Sequence, residues 1–468
     1  MRKLISSSVY LSTFWVAIFL FNTETLSQQN NNSWKAGVGK VEITPQQSMW
    51  MAGYAARNHP SEGVRHSIWA KALALEDPSG KQAVIVTMDL VGIKQGLSNK
   101  VRKRLMDEYG LNKAQIILNS SHTHTGPAND YVRYQFQLDQ DEVGKIKGFA
   151  NRLEEQLVKL VGNTIKSLEP VTLSTGNGGT RFQVNRRNNK EAQINYQTEL
   201  NGPNDYAVPV IKVENLKGEL EAILFGYACH PTVLSDYQIS GDYAGFAQIA
   251  LEKMYPGTTA LFFQGAGADQ NPLPRRSVPL AKQYGNELAG AVERVLNEDM
   301  KVLEGSLSTA YSEIDLTYAK SVPTMEELKD IISGVTTGYP QYLIENAKVL
   351  LSKLEKGEAL SATYPYPVQA WKLGDQPIFT FGGELLVGYS LELKKIFGPD
   401  IFVMGYSNDV MGYIPTKKVL AEGGYEANRS PIFTTQWAAS IEDHIISEAI
   451  KLAESLGIET VEYPLIAP

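Results

Sequence analysis

The chain has a single cysteine, Cys229, among 468 residues. No intramolecular disulfide can form, so a buried core has to supply the stability that cross-links would otherwise give. Basic residues are also short: Lys and Arg number 44 against 51 Asp and Glu, and they form no block. A phosphate backbone wants a concentrated cationic face, so nucleic acid is excluded as a partner. Histidine is scarce, at 6 residues, so two that fall close together carry weight. No Pro- or Ser-rich linker divides the chain, and no internal repeat or low-complexity tract is present. The apolar stretch Val9 to Phe21 is too short and too interrupted by Ser and Thr for a membrane span. It follows Arg2 and Lys3 and precedes the small residues around Thr25-Leu26-Ser27. That pattern predicts a secretory signal peptide over 1–27. An exported chain with one cysteine suits a bacterial periplasm or cell surface.

Apolar residues are ample, at 43% of the chain, so a large core can form. Strand-like and helix-like patterns interleave to the end. The spacing predicts a hairpin of strands over Ala70 to Leu75 and Ala83 to Val91, and a helix over Ser98 to Glu108 that Ser98 would cap and Gly110 would stop. Later strands are predicted at Val208 to Val213, Glu221 to Tyr227, Thr259 to Phe263, Gln376 to Phe381 and Ile401 to Tyr406. From Leu303 the pattern turns to strands and then two helices, Met325 to Ser333 and Tyr339 to Glu355, which read as a subdomain or a cover. The expectation is an α/β fold: mixed sheets flanked by helices, in one catalytic domain over 28–468, with a metal site at the strand ends.

That site is predicted from Gln115 to Pro127. The apolar run Ile116, Ile117, Leu118 stops at small polar residues, and His122 and His124 follow before Gly126-Pro127 turns the chain. In extended backbone the two imidazoles lean the same way, which makes a candidate metal site or, more plainly, a core histidine bonded to backbone. The strand Glu221 to Tyr227 runs into Cys229-His230-Pro231-Thr232 and repeats the pattern. Cys229 reads as a small buried residue. Thr259 to Phe263 ends at a glycine-rich turn where Asp269, Gln270 and Asn271 would bind substrate or only hold the turn. Gln376 to Phe381 ends at Gly382-Gly383-Glu384, where Glu384 would be a ligand or a helix cap. Arg186 could clamp a substrate oxygen with its planar fork. Tyr413 and Tyr425 flank a loop, and Asp89 would orient a ligand or hold a turn.

In their order, Gly37-Val38-Gly39, Met51-Ala52-Gly53-Tyr54, His122-Thr123-His124-Thr125-Gly126-Pro127, Asn185-Arg186, His230-Pro231-Thr232, Gly383-Glu384, Tyr413 and Tyr425-Glu426 resemble the catalytic domain of the neutral, non-lysosomal ceramidases. The resemblance implies a catalytic zinc ion held by His122, His230, Glu384 and Tyr413. It implies His124, Arg186 and Tyr425 as the residues that meet the substrate or the developing charge, and cleavage of the amide of an N-acyl sphingoid-like lipid by metal-activated water. Two departures stand out. The family carries a serine where Gln270 falls here, and it carries a further C-terminal β-sandwich for which 457–468 are too few. A second reading keeps the zinc and changes the substrate to another ester, amide or glycan-linked group. A third is an exported binding protein without catalysis. The partner in each is a small molecule, lipid or glycoconjugate, with peripheral contact to a membrane surface for a lipid. No motif speaks to the oligomeric state.

Overall fold

The computed structural model describes residues 33–132, 136, 138–335, 338 and 340–461. The leader expected over 1–27 lies outside them. Nine strands form the main sheet: β1 Trp34–Glu42, β2 Trp69–Glu76, β3 Gln82–Met88, β4 Ile116–Ser120, β5 Glu169–Gly179, β6 Ala207–Asn215, β7 Leu220–Tyr227, β8 Thr259–Gln264 and the short β9 Lys301–Val302. Their order is β8-β7-β6-β5-β1-β2-β3-β4, with β9 alongside β5. The inner pairs are antiparallel. The two outermost pairs, β3/β4 and β7/β8, are parallel. The sheet is therefore mixed, as the interleaved pattern predicts.

Strands β2 and β3 read as nearly unbroken apolar runs because both of their faces are buried. Ala70, Ala72, Ala74, Val84, Val86 and Met88 join one core with residues of helices Gln95–Tyr109 and Gln140–Lys166. Leu73, Leu75, Ala83 and Ile85 turn the other way and meet Trp371, Leu373, Ile378, Phe402 and Met404 of a second sheet. That sheet is β10 Leu307–Thr317, β11 Thr363–Leu373, β12 Gln376–Phe381 and β13 Phe402–Met404, in that order. Its outer side, with Leu316, Tyr366, Val368, Phe379 and Phe381, packs with residues of helices Val387–Phe397 and Ile441–Ser455. The layers run helix, sheet, sheet, helix. Strands β10 and β11 pair from Leu307↔Leu373 to Thr317↔Thr363, so the two middle helices are an insertion in a long hairpin. Leu328, Ile331, Ala347 and Leu350 of those helices, with Ile432, make a small core of their own.

The two sheets are joined at the end of β4. Asn119 is fully buried, and its Nδ2 donates to Gly405 O at 2.8 Å and Ser407 Oγ at 3.1 Å. Its Oδ1 accepts from Gln264 N, in β8, at 2.9 Å. Asn408 N donates to Leu118 O at 2.7 Å, and Leu118 N donates back to Asn408 Oδ1 at 3.0 Å. The helix expected from Ser98 starts earlier, at Gln95, with Ser98 buried inside it. Lys94 takes the cap position without a side-chain bond, and the Asp409 carboxylate accepts from Gln95 N at 3.0 Å instead. A cap supplied from so far along the chain leaves no local signature. Among the described residues no helix is long and apolar enough to cross a membrane.

Candidate metal centre

The site lies where β4, β7 and β12 end. His122 stands just past β4 with φ 64°, a conformation that an L residue holds only when its surroundings force it. Its backbone N donates to Leu90 O at 2.9 Å, and its ring Nδ1 rests on Val91 O. His230 follows β7. Its backbone N donates to Gln270 O at 2.9 Å, and its Nδ1 lies 3.1 Å from Gly267 O. A carbonyl can only accept, so each Nδ1 carries the proton and each Nε2 presents its lone pair. The His124 backbone N donates to Pro231 O at 3.2 Å, which ties the two loops together. Gly53 packs flat on the His124 ring at φ 100°, where an added Cβ would fall 2.6 Å from Cγ. Only glycine fits there.

The three rings converge. His124 Nε2 is 3.1 Å from His122 Nε2. Glu384 Oε2 is 3.4 Å from His122 Nε2 and 3.5 Å from His230 Nε2. Among the described residues, His122, His124 and His230 form a group whose ligand atoms all lie within 4.8 Å of one another. His230 Nε2 and Glu384 Oε2 are buried without a hydrogen-bond partner. An unsatisfied buried polar atom costs about 1–3 kcal/mol. A cation would satisfy lone pairs of both at once, so the donor set fits a metal ion. Protonation states agree. Burial and the two neighbouring imidazoles hold the His124 ring well below its ordinary pKa. Burial lowers His230 to about 4 against the pull of Glu384. Burial pushes the Glu384 carboxyl up, but His122 and His230 outweigh it and hold the group well below the usual carboxylate range.

Glu384 is not the helix cap it resembled. The helix begins at Val387 behind Leu386, and the carboxylate turns to the imidazoles instead. The short strand Glu384–Leu385 pairs in parallel with Tyr413–Ile414, with Glu384 opposite Tyr413. The Tyr413 ring stacks over His230 with centroids 6.5 Å apart, and its hydroxyl accepts from Arg186 Nη2 at 3.0 Å. Tyr425 meets Tyr413 edge-on at 5.5 Å. Asp269 and Gln270 sit behind this wall. Asp269 Oδ1 accepts from Val387 N at 3.0 Å, Oδ2 from Asn185 Nδ2 at 3.1 Å, and Gln270 Nε2 donates to Pro203 O at 3.2 Å. Asn271 Oδ1 accepts from Arg186 Nη1 at 3.4 Å. Asp89 holds the backbone of Trp69 and the side chain of Gln248. A cavity of about 490 Å³ opens over the rings, with His122, His124, Glu384, Tyr413 and Tyr425 in its walls. Leu343, Val349 and Leu350 of the inserted helix Gln341–Glu355 line it too, so that block is part of the cavity wall. Sequence reasoning missed Tyr406, whose ring lies 4.5 Å from that of His122 and whose φ is 52°.

A family model described as neutral/alkaline non-lysosomal ceramidase, N-terminal, matches residues 34–271, just over half of the chain. The chain belongs to that family. The matched ceramidase region holds the three histidines, Arg186 and Gln270, while Glu384, Tyr413 and Tyr425 lie beyond it. Neutral ceramidase B of Dictyostelium discoideum is 26% identical over 293 residues, covering 58% of this chain and 39% of that protein. Neutral ceramidase 1 of Arabidopsis thaliana is 25% identical over 293 residues, covering 59% and 36%. The matches thus span less than half the length of these curated relatives. The crystal structure of neutral ceramidase from Pseudomonas aeruginosa superposes with a TM-score of 0.70 at 20% identity, covering 93% of this chain and 76% of that one. That likeness shows the ceramidase fold for both sheets.

The loop behind His230 is held by a strained acid. Asp242, at φ 54°, accepts from Leu234 N at 2.8 Å, Tyr243 N at 2.6 Å and Val233 N at 3.3 Å. Burial pushes its carboxyl up to about 6 against those donors. An unfolded Asp titrates near 3.9. Between about pH 4 and 6 the folded chain keeps a proton the unfolded chain has lost, so this stabilisation falls as pH rises through that window. Asp242→Asn should remove the dependence. Its melting temperature, minus that of the wild type, should climb from pH 4 to 6.5 by the equivalent of about 2–3 kcal/mol. A flat difference would show that Asp242 does not titrate there.

Proposed function

We propose that this protein is an exported, zinc-dependent amidohydrolase that splits an N-acyl, ceramide-like amide into a carboxylate and an amine. One observation carries the reading: partnerless His230 Nε2 and Glu384 Oε2, beside the His122 and His124 rings, under a cavity walled partly by aliphatic side chains. His122, His230, Glu384 and Tyr413 would hold the ion, a donor set of imidazole and oxygen that suits zinc. When bound, zinc polarises a carbonyl and brings the pKa of water down to about 7. His124, neutral and next to the ligands, takes the proton of the attacking water and returns one to the leaving amine. Arg186, on the Tyr413 hydroxyl, keeps its charge and donates toward the developing oxyanion. Tyr425 orients the substrate from the cavity wall. Leu343, Val349 and Leu350 offer an aliphatic chain its apolar surface.

Gln270 favours a second reading, in which the acyl group or its carrier differs from ceramide. The test is fatty-acid release from a short-chain ceramide by residues 28–468, with chelator and zinc add-back. Release that follows zinc supports the first reading. No release from zinc-loaded protein rejects it and leaves other esters, amides and glycan-linked acyl groups. Gln270→Ser separates the two causes, because its amide packs on Pro203 behind the wall. Turnover of ceramide should be unchanged by the substitution. A gain of more than about tenfold, some 1.4 kcal/mol in the barrier, would show that the missing serine sets specificity.

A further inference from the structure

Arg186 is held by three bonds of different kinds. Its Nε donates to Glu426 Oε1 at 2.8 Å, its Nη2 to the Tyr413 hydroxyl at 3.0 Å, and its Nη1 to Asn271 Oδ1 at 3.4 Å. Glu426 is itself buried, 3% exposed, and its second oxygen accepts from Arg187 Nη1 at 2.7 Å. Arg187 is fixed in turn, with Nη2 on Glu422 Oε2 at 2.9 Å and Gly423 O at 3.0 Å. A carboxylate and a guanidinium readily close into a two-pronged pair. Here Arg187 occupies the oxygen that the second prong would need, so Glu426 takes Arg186 at Nε only. Both η nitrogens of Arg186 are left on neutral acceptors.

We propose that Glu426, steadied by Arg187, is the positioning residue that sets the Arg186 guanidinium on the Tyr413 hydroxyl. It touches neither substrate nor metal ligand and acts through Arg186. The kinetic part of this inference rests on the hydrolase reading, whereas the geometric part does not.

Two variants test it, Glu426→Gln and Arg187→Gln, each by crystal structure and steady-state kinetics. In Arg187→Gln the freed oxygen of Glu426 should close on Arg186 as a two-pronged pair and draw Nη2 off Tyr413. In Glu426→Gln the guanidinium should leave its place. Misplacing a group by about 1 Å can cost on the order of 10²-fold, so kcat should fall by about that factor in Glu426→Gln with KM within about twofold. Adding Glu426→Gln to Arg186→Gln should cost nothing more, because the effect runs through the same side chain. Arg186 unmoved in both crystal structures overturns the proposal whatever the substrate. A loss that persists in full in the Arg186→Gln background also overturns it, since Glu426 would then only anchor its own turn. If Glu426→Gln does not fold, Arg187→Gln decides by the same criteria. If wild type turns over no acyl amide, the hydrolase reading fails and the crystal structures still decide this one.

Discussion

On the proposed function, His230→Ala should purify folded and without zinc, whereas His124→Ala should keep the ion and lose turnover. The two rings lie in one cluster, so the contrast separates ligand from proton carrier. His230 has its Nδ1 on Gly267 O, which presents Nε2 to the site, and Glu384 Oε2 stands 3.5 Å from it. Losing a partner that merely orients a ligand costs about 10–100-fold in affinity. Losing the ligand itself should exceed that. The backbone around it stays tied by the bond from His230 N to Gln270 O, so the fold survives. His124 has no such carbonyl behind its ring, and its Nδ1 is buried without a partner. Metal analysis after dialysis, with circular dichroism as the fold control, reads both outcomes. Full zinc content in His230→Ala, or zinc lost from His124→Ala, would overturn the assignment.

Much of this centre was legible because strand ends leave marks. An apolar run that stops at a histidine and then turns announces His122 and His230, and the strands themselves stood out because both faces are buried. Glu384 was ambiguous, since a carboxylate between a strand and a helix suits the helix dipole as well as a metal. The path of the chain, with Leu386 at the cap position, removes the cap reading. The stacking of one sheet on the other could not be read, because a residue buried against a sheet and one buried against a helix look alike in sequence. Tyr406 and Asn408 gave no sign either. Their left-handed conformations depend on bonds to β4 and to Gly383 O, which come from distant segments.

Asn119→Leu should be the most destabilising single change outside the cluster. It would leave Gln264 N buried without its partner and remove the bonds to Ser407 and to Gly405 O, the latter still served by the Ser407 hydroxyl at 2.9 Å. At about 1–3 kcal/mol for the orphaned N–H and about 1 kcal/mol for each of the two other lost bonds, the loss comes to roughly 3–5 kcal/mol, at the upper end of point substitutions. Leucine shares asparagine's branched skeleton with bulkier ends, so no cavity is left and the lost bonding is what would be measured. For a chain of this length the melting temperature should drop by about 3–5 °C. A melting temperature within about 2 °C of wild type would mean that the junction between the sheets does not depend on this side chain.

The site also has an order of construction. His122 and His230 lie in the first half of the chain, on the nine-stranded sheet, while Glu384 and Tyr413 come from the segments around the second sheet. During synthesis the imidazoles emerge well before the Glu384 carboxylate that meets them in the fold. A nascent chain at that stage presents bare histidines, with Leu73, Leu75, Ile85 and Phe263 still waiting for Trp371, Ile378 and Phe402 to cover them. With the ligand set proposed above, capture of an ion would be a late event, coupled to the docking of the last third of the polypeptide. A fragment ending at residue 271 would carry the histidines yet have neither a closed core nor the Glu384 carboxylate beside them.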